Sequence, residues 1–212
     1  MADERPSLTF VFDTGPILAL DRLGYGDRLA RGMVGAVVVP STVADELRHG
    51  APRPTARLAE LLQTVHTPDV ALMRLMHEHE VPPSIHSGEL GVIALTLALR
   101  SREPTLEARA VLDDLRARKL AARVGLTPGN GMTGTLGLLT MIHDAGQAVA
   151  ALPDEVDLLQ RTGYRFSAAL VKRVLETAPA HQPEPTAQRW LSSVPGKHPR
   201  RQPTPPGHER SR

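Results

Sequence analysis

Cysteine is absent from this 212-residue chain. That excludes a disulfide scaffold, thiolate zinc sites, iron–sulfur clusters and a cysteine nucleophile. Aromatic residues make up only 3%, which argues against recognition of single-stranded bases by stacking. No apolar stretch approaches the roughly 20 residues of a membrane helix, so no membrane partner is expected. The start, Met1-Ala-Asp-Glu-Arg-Pro6, is charged and has no signal-peptide character, so the expected compartment is the cytoplasm. What remains, with 41% hydrophobic residues, suffices for the core of one ordinary domain.

Charge is distributed unevenly. Residues 179–212 hold six basic and two acidic side chains, leaving 19 basic and 21 acidic residues in the rest of the chain. The same segment holds eight of the 19 prolines and little apolar material beyond Trp190, Leu191 and Val194. Such a composition cannot offset the entropy of ordering, so the expectation is one domain over 1–178 and a Pro-rich, basic, disordered tail over 179–212. The tail reads as a solvated extension, with contact to nucleic acid or an acidic partner as the alternative.

Within 1–178, apolar β-rich runs alternate with helical patterns. Leu8–Phe12, Ala36–Val39 and Ala108–Leu112 read as buried strands, with a short strand near Leu126–Thr127. Helices are expected over Ile17–Leu23, Asp27–Met33, Ser41 or Thr42 to about Gly50, Thr55–Thr64, Asp69–His79, Leu115–Val124, Thr135–Ala145, Glu155–Arg161 and Ser167–Thr177. Leu90, Ile93, Ala94, Leu97 and Ala98 mark a further amphipathic helix with Ser87 as its cap. A glycine-rich loop is expected over Pro128–Gly134. The alternation predicts an α/β fold with a parallel sheet, whose ligands bind beyond the carboxyl ends of the strands.

Carboxylates collect at that predicted edge. Asp13 follows the first strand, Glu46 lies one helical turn past the second, and Asp113 and Asp114 follow the third. Glu89 sits in the first turn of a helix that can open at the same edge. Unpaired carboxylates brought together raise one another's pKa, and a divalent cation resolves the conflict. An all-oxygen set suits Mg²⁺ or Mn²⁺, the apparatus of phosphodiester hydrolysis. Taken singly, Glu46 and Glu89 read equally as surface residues, and either Asp113 or Asp114 as a helix cap.

Rival chemistries fail on particular residues. A haloacid-dehalogenase-type phosphatase needs a second Asp where Gly15 stands, and a response-regulator receiver needs its acidic pair early in the chain. Gly129-Asn-Gly-Met-Thr-Gly134 lacks the phosphate-loop Lys, and no dinucleotide-binding glycine motif follows the first strand. His77 and His79 are too close together for the i, i+4 zinc arrangement on a helix and read as surface residues.

Five segments together carry a resemblance. They are Val11-Phe-Asp-Thr-Gly-Pro-Ile-Leu-Ala-Leu20, Val39-Pro-Ser-Thr-Val-Ala-Asp-Glu-Leu47, Ser87-Gly-Glu-Leu-Gly-Val-Ile-Ala-Leu95, Val111-Leu-Asp-Asp114 and Thr133-Gly-Thr-Leu-Gly-Leu-Leu139. In this order, over roughly residues 8–178, they resemble PIN-domain proteins, in particular a PIN-like subfamily of predicted nucleic-acid-binding proteins related to toxin ribonucleases. The resemblance implies a three-layer fold, a central parallel sheet flanked by helices, and a Mg²⁺- or Mn²⁺-dependent endoribonuclease acting on RNA. It also implies a possible antitoxin partner and a possible homodimer.

Carried over by position, the catalytic acids are Asp13, Glu46, Glu89, Asp113 and Asp114, with metal held by Asp13, Glu89, Asp113 and Asp114. Thr14 and Thr133 are expected to support the site, Thr14 by orienting a carboxylate or a metal-bound water, Thr133 with a helix cap as its alternative role. Two departures bear on catalysis: Glu89 stands where many relatives have Asp, and Leu115-Arg116-Ala117-Arg118 replaces a further acid and an aromatic. The loop Thr127–Met132 is also longer than the pattern. Arg116, Lys119 and Arg123 share a helix face and are expected to contact RNA phosphates; a solvated face, with Arg118 and Lys119 paired to local acids, is the alternative. The rival functions are a non-catalytic nucleic-acid- or protein-binding module and a DNA-directed nuclease.

Overall fold

The computed structural model describes residues 8–30, 35–50, 55 and 63–177. The tail expected over 179–212, and the helix expected over Thr55–Thr64 except at its two ends, lie outside the described residues. Six strands form one parallel sheet: β1 (Leu8–Phe12), β2 (Ala36–Pro40), β3 (Gln63–Val65), β4 (Glu107–Val111), β5 (Thr127–Pro128) and β6 (Gly131–Thr133). Their spatial order is β3-β2-β1-β4-β6-β5. Among the described residues nine helices flank the sheet, giving the three-layer α/β arrangement.

The helices are α1 (Thr14–Arg22), α2 (Gly26–Ala30), α3 (Ser41–His49), α4 (Asp69–Glu78), α5 (Ser87–Arg102), α6 (Leu115–Arg123), α7 (Thr135–Asp144), α8 (Leu152–Arg161) and α9 (Ala168–Thr177). The central strands are covered on both faces, which is why they read as unbroken apolar runs. Phe10, Val11, Phe12, Val39, Ala110 and Val111 are all inaccessible to solvent. Phe10 and Phe12 lie edge to face, their rings 6.3 Å apart.

Several local expectations are corrected. The α3 helix begins after Pro40 and has no side-chain cap, so neither Ser41 nor Thr42 serves as one. The cap of α5 is His86, not Ser87, with Glu89 closing a capping box. Its amphipathic pattern understates its burial. Val92, Ile93, Ala94 and Leu95 are all buried, because α5 is wedged between the sheet and helices α3 and α4. The glycine-rich stretch is not all loop: Gly131–Thr133 is a strand beside β4. Gly129 and Gly131, at φ +79° and +98°, make the tight reversal before it, a backbone region that side-chain-bearing residues rarely adopt. Gln63–Val65, the end of the segment read as helical, pairs with β2 as a strand.

The registers Phe12↔Val111 and Val111↔Thr133 align the carboxyl ends of β1, β4 and β6. β2 runs alongside, with Val11 opposite Val38. Everything that leaves these strand ends therefore emerges at one edge.

Candidate active site

Asp13 is the first residue past β1. Its N–H donates to the Val111 carbonyl at 3.2 Å, which extends the β1–β4 ladder by one bond and locks its backbone at the edge. The side chain makes no cap bond to α1. Burial, first, pushes the Asp13 carboxyl up to about 7, against the pull of the Thr14 N–H; the charges of Glu89, Glu46 and Asp113 add to the rise.

Glu46 approaches from α3. Its Oε2 accepts a 2.6 Å hydrogen bond from the Thr14 hydroxyl, so Thr14 orients a carboxylate, though not that of its neighbour Asp13. On the far side Glu46 lies against Gly88, where an added Cβ would stand 2.7 Å from Oε1. Glu89 is 8% exposed, and its Oε2 accepts from the His86 N–H at 2.9 Å. Burial raises its pKa, His86 opposes this, and the Asp114 and Glu46 charges raise it further.

The acidic pair after β4 divides its labour. Asp114 caps α6, accepting on Oδ1 from the N–H groups of Arg116 at 2.7 Å and Ala117 at 2.9 Å. Asp113 reaches across to α7, where Thr135 donates its N–H to Oδ1 at 2.8 Å and its hydroxyl to Oδ2 at 2.5 Å. Asp114→Ala is accordingly expected to lower unfolding free energy by about 1 kcal/mol through loss of the cap. Chemical denaturation checks this, and an unchanged midpoint would show the cap to be dispensable.

The structure thus brings Asp13, Glu46, Glu89, Asp113 and Asp114 into one electrostatically coupled group. Thr133 stands apart from these bonds. Its hydroxyl donates weakly to the Gly134 carbonyl at 3.4 Å, and α7 has no side-chain cap of its own, so Thr135 makes the contact expected of Thr133. Arg116, Lys119 and Arg123 are exposed, and Arg123 is tied to the Glu80 carbonyl at 2.8 Å.

Sequence reasoning passed over two neighbours, Thr135 and Tyr164, and read a third, Arg118, only as a partner of local acids. Thr135 gave no signal beyond its place in Thr-Gly-Thr. Tyr164, between α8 and α9, sends its hydroxyl toward the Gly15 carbonyl at 3.5 Å. Burial pushes that phenol up to about 12; Arg22 opposes the rise, and Asp113 and Asp21 add to it. Arg118, half-buried, donates through Nη1 to the Leu112 carbonyl at 3.0 Å.

Asp13 and Glu89, both raised by burial and by neighbouring charges, together with the other carboxylates make a hard, all-oxygen donor set, which fits Mg²⁺ or Mn²⁺. Among the described residues no three side chains form a ready-made metal cage. The fit is to an open site in which water completes the coordination of an ion bound by few carboxylates, as Mg²⁺ prefers.

A family model described as a PIN domain matches residues 9–179. No curated protein and no solved structure matches the chain.

Proposed function

The chain belongs to the PIN-domain family, and from that premise we propose that it is a Mg²⁺- or Mn²⁺-dependent endoribonuclease. PIN domains are generally nucleases that bind nucleic acid and use divalent ions. The observation that carries the finer reading is the coupled group of five acids at the strand ends, with Asp13 raised to about 7. Such a group is unfavourable unless a cation or a proton occupies it.

In this reading Asp13, Glu89 and the pair Asp113/Asp114 hold the ion. When bound, it would supply an acidified water and a clamp on a phosphate oxygen. Asp113, anchored twice by Thr135, keeps a fixed direction, which positions the edge against the reacting phosphate. Glu46, steered by Thr14, takes the proton from the attacking water. Water oxygen then joins phosphorus, the ester P–O bond breaks, and the departing oxygen takes up a proton from solvent. Arg116, Lys119 and Arg123 contact flanking RNA phosphates, so neutralising them should weaken binding and flatten its salt dependence. Control by a small antitoxin, a homodimer and a cytoplasmic site belong to the same proposal. Among the described residues no helix is long and apolar enough to cross a membrane.

The second reading, a non-catalytic binding module, is favoured by the two departures from the family pattern, Glu89 in place of Asp and Leu115-Arg116-Ala117-Arg118 in place of a further acid and an aromatic. Incubating wild type and Asp13→Ala with a mixed-sequence single-stranded RNA and its DNA counterpart, under Mg²⁺, Mn²⁺ or EDTA, separates the two. Metal-dependent RNA cuts that vanish in the variant are expected. Equal binding without cutting would hand the lead to the binding module, and cutting of DNA alone would make it a DNA-directed nuclease.

A further inference from the structure

An edge built from five carboxylates repels a polyanion even when one divalent ion has neutralised part of it. Something cationic has to face the phosphate at close range. The expected candidates, Arg116, Lys119 and Arg123, are exposed on the outer side of α6. Arg118 differs from them in every respect that matters.

Its position in the first turns of α6 sends the side chain back toward the helix N-terminus and the strand ends. There Nη1 donates to the carbonyl of Leu112, the residue that leads directly into Asp113. A Cβ placed on Gly134 would stand 2.7 Å from Arg118 Nη1 and 2.8 Å from Asp113 Oδ1. Those two atoms are therefore within about 5.5 Å of each other, inside the range of Coulomb attraction. Yet among the described residues Arg118 forms no ion pair with Asp113 or with any other acid. A guanidinium has five N–H donors, and the Leu112 carbonyl takes one. Gly134, lacking a side chain, is what lets both groups lie this close to its backbone.

We propose that Arg118 is the phosphate-binding residue of the candidate site, its guanidinium fixed by the Leu112 carbonyl and donating to a non-bridging oxygen of the RNA phosphate that lies against the carboxylates. This rests on the nuclease reading and gives it the positive charge that the acids lack. A planar guanidinium offers two parallel donors to phosphate, which an ammonium cannot. The same donors hold the extra negative charge that builds on the phosphate oxygens as water adds, so the contact strengthens toward the transition state.

The test compares wild type, Arg118→Met, Arg118→Lys and Lys172→Met, an exposed change on α9 that removes one charge. Two readouts are taken: single-turnover cleavage with Mg²⁺ or Mn²⁺, and anisotropy of a fluorescent 2′-O-methyl oligonucleotide in EDTA, which reports phosphate contact without metal or cutting. Arg118→Met is expected to cut about 10²–10³-fold more slowly and to bind the analogue about tenfold more weakly. Arg118→Lys should recover most of the binding but less than a tenth of the cutting rate. Lys172→Met should match wild type in both. Should the Met variant fail to fold, the Lys variant carries the test, because it keeps the charge and a donor for Leu112.

Arg118→Met that melts like wild type, binds the analogue equally and cuts within threefold overturns the proposal. So does a variant that loses only thermal stability, which would make Arg118 a tether for the Leu112 carbonyl and nothing more. If wild type itself cuts nothing under any metal, the nuclease reading falls on that readout, and the oligonucleotide measurement still decides whether Arg118 contacts phosphate.

Discussion

Replacing Asp13 by Asn is expected to abolish RNA cleavage, by on the order of 10³-fold or more, and at the same time to make the metal-free protein more stable. The two effects have one cause. Asp13 is raised from 3.8 to about 7, chiefly by burial and then by the neighbouring acids. Its folded-state value lies above the unfolded one, so the folded protein binds the proton more tightly. The stability this supplies is complete below about pH 4 and is lost as pH rises through about 7. Allowing for the carboxyl's partial contact with water, the loss amounts to about 3 kcal/mol by pH 8.

Asparagine keeps the shape without the charge and escapes that loss. The melting temperature of metal-free Asp13→Asn near pH 8 should exceed that of wild type by about 5–10 °C, and the gap should close near pH 4. Added Mg²⁺ should raise the melting temperature of wild type and leave the variant unmoved, since an ion that binds only the folded state stabilises it by mass action. Scanning calorimetry at several pH values in EDTA and in Mg²⁺ checks all three. Wild-type stability that stays flat from pH 5 to 8 would show that Asp13 is not held at a cost.

The other large effect concerns the fold alone. Glu155, wholly inaccessible on α8, accepts from the Tyr25 hydroxyl at 2.5 Å and bonds His143 Nε2 at 2.9 Å. Tyr25 in turn receives the Val149 N–H at 3.0 Å. Burial, then the Glu155 charge and bond, hold the Tyr25 phenol far above its ordinary range, so it stays protonated and donates. One carboxylate thus ties the turn between α1 and α2 to α7 and α8. Glu155→Ala leaves two buried polar groups facing an empty volume and is expected to cost about 3–5 kcal/mol, read as a lower denaturant midpoint. Glu155→Gln, which keeps the volume and part of the bonding, should cost about 1–2 kcal/mol. An alanine variant as stable as wild type would show that the network contributes nothing to the fold.

The class of fold was legible because its central strands are buried on both faces. Leu8–Phe12 and Ala36–Pro40 have no polar alternation to obscure them, and each stops at a residue that breaks a strand, Asp13 or Pro40 with the helix behind it. Local patterns failed where tertiary contact outweighed them. Gly131–Thr133 looks like turn material, yet β4 offers a free edge and the stretch pairs with it. Val92–Leu95 departs from a one-sided helix because α5 is covered on two sides.

The candidate site shows the same division. Acids placed directly after strands, Asp13 and Asp113, were visible from sequence, since a charge at the end of a buried strand needs a reason. Arg118, Thr135 and Tyr164 were not. Arg118 sits among four basic residues within one helix, and only the approach of Gly134 and the Leu112 carbonyl distinguishes it. Tyr164 is some 150 positions from the backbone it touches, a separation that no periodicity records.

By itself the sequence determined the α/β class, the central strands β1, β2 and β4 with the helices that follow them, and the set of acids that a parallel sheet carries to its carboxyl edge. Those follow from apolar runs, breakers and the direction of the chain, which are local properties. Tertiary structure alone decided which acids are steered by threonines, Asp113 by Thr135 and Glu46 by Thr14, because hydrogen-bond partners 22 and 32 positions apart meet only once the sheet has formed. It also decided that Asp13 titrates near 7, because desolvation and the fields of neighbouring charges exist only where the folded chain excludes water.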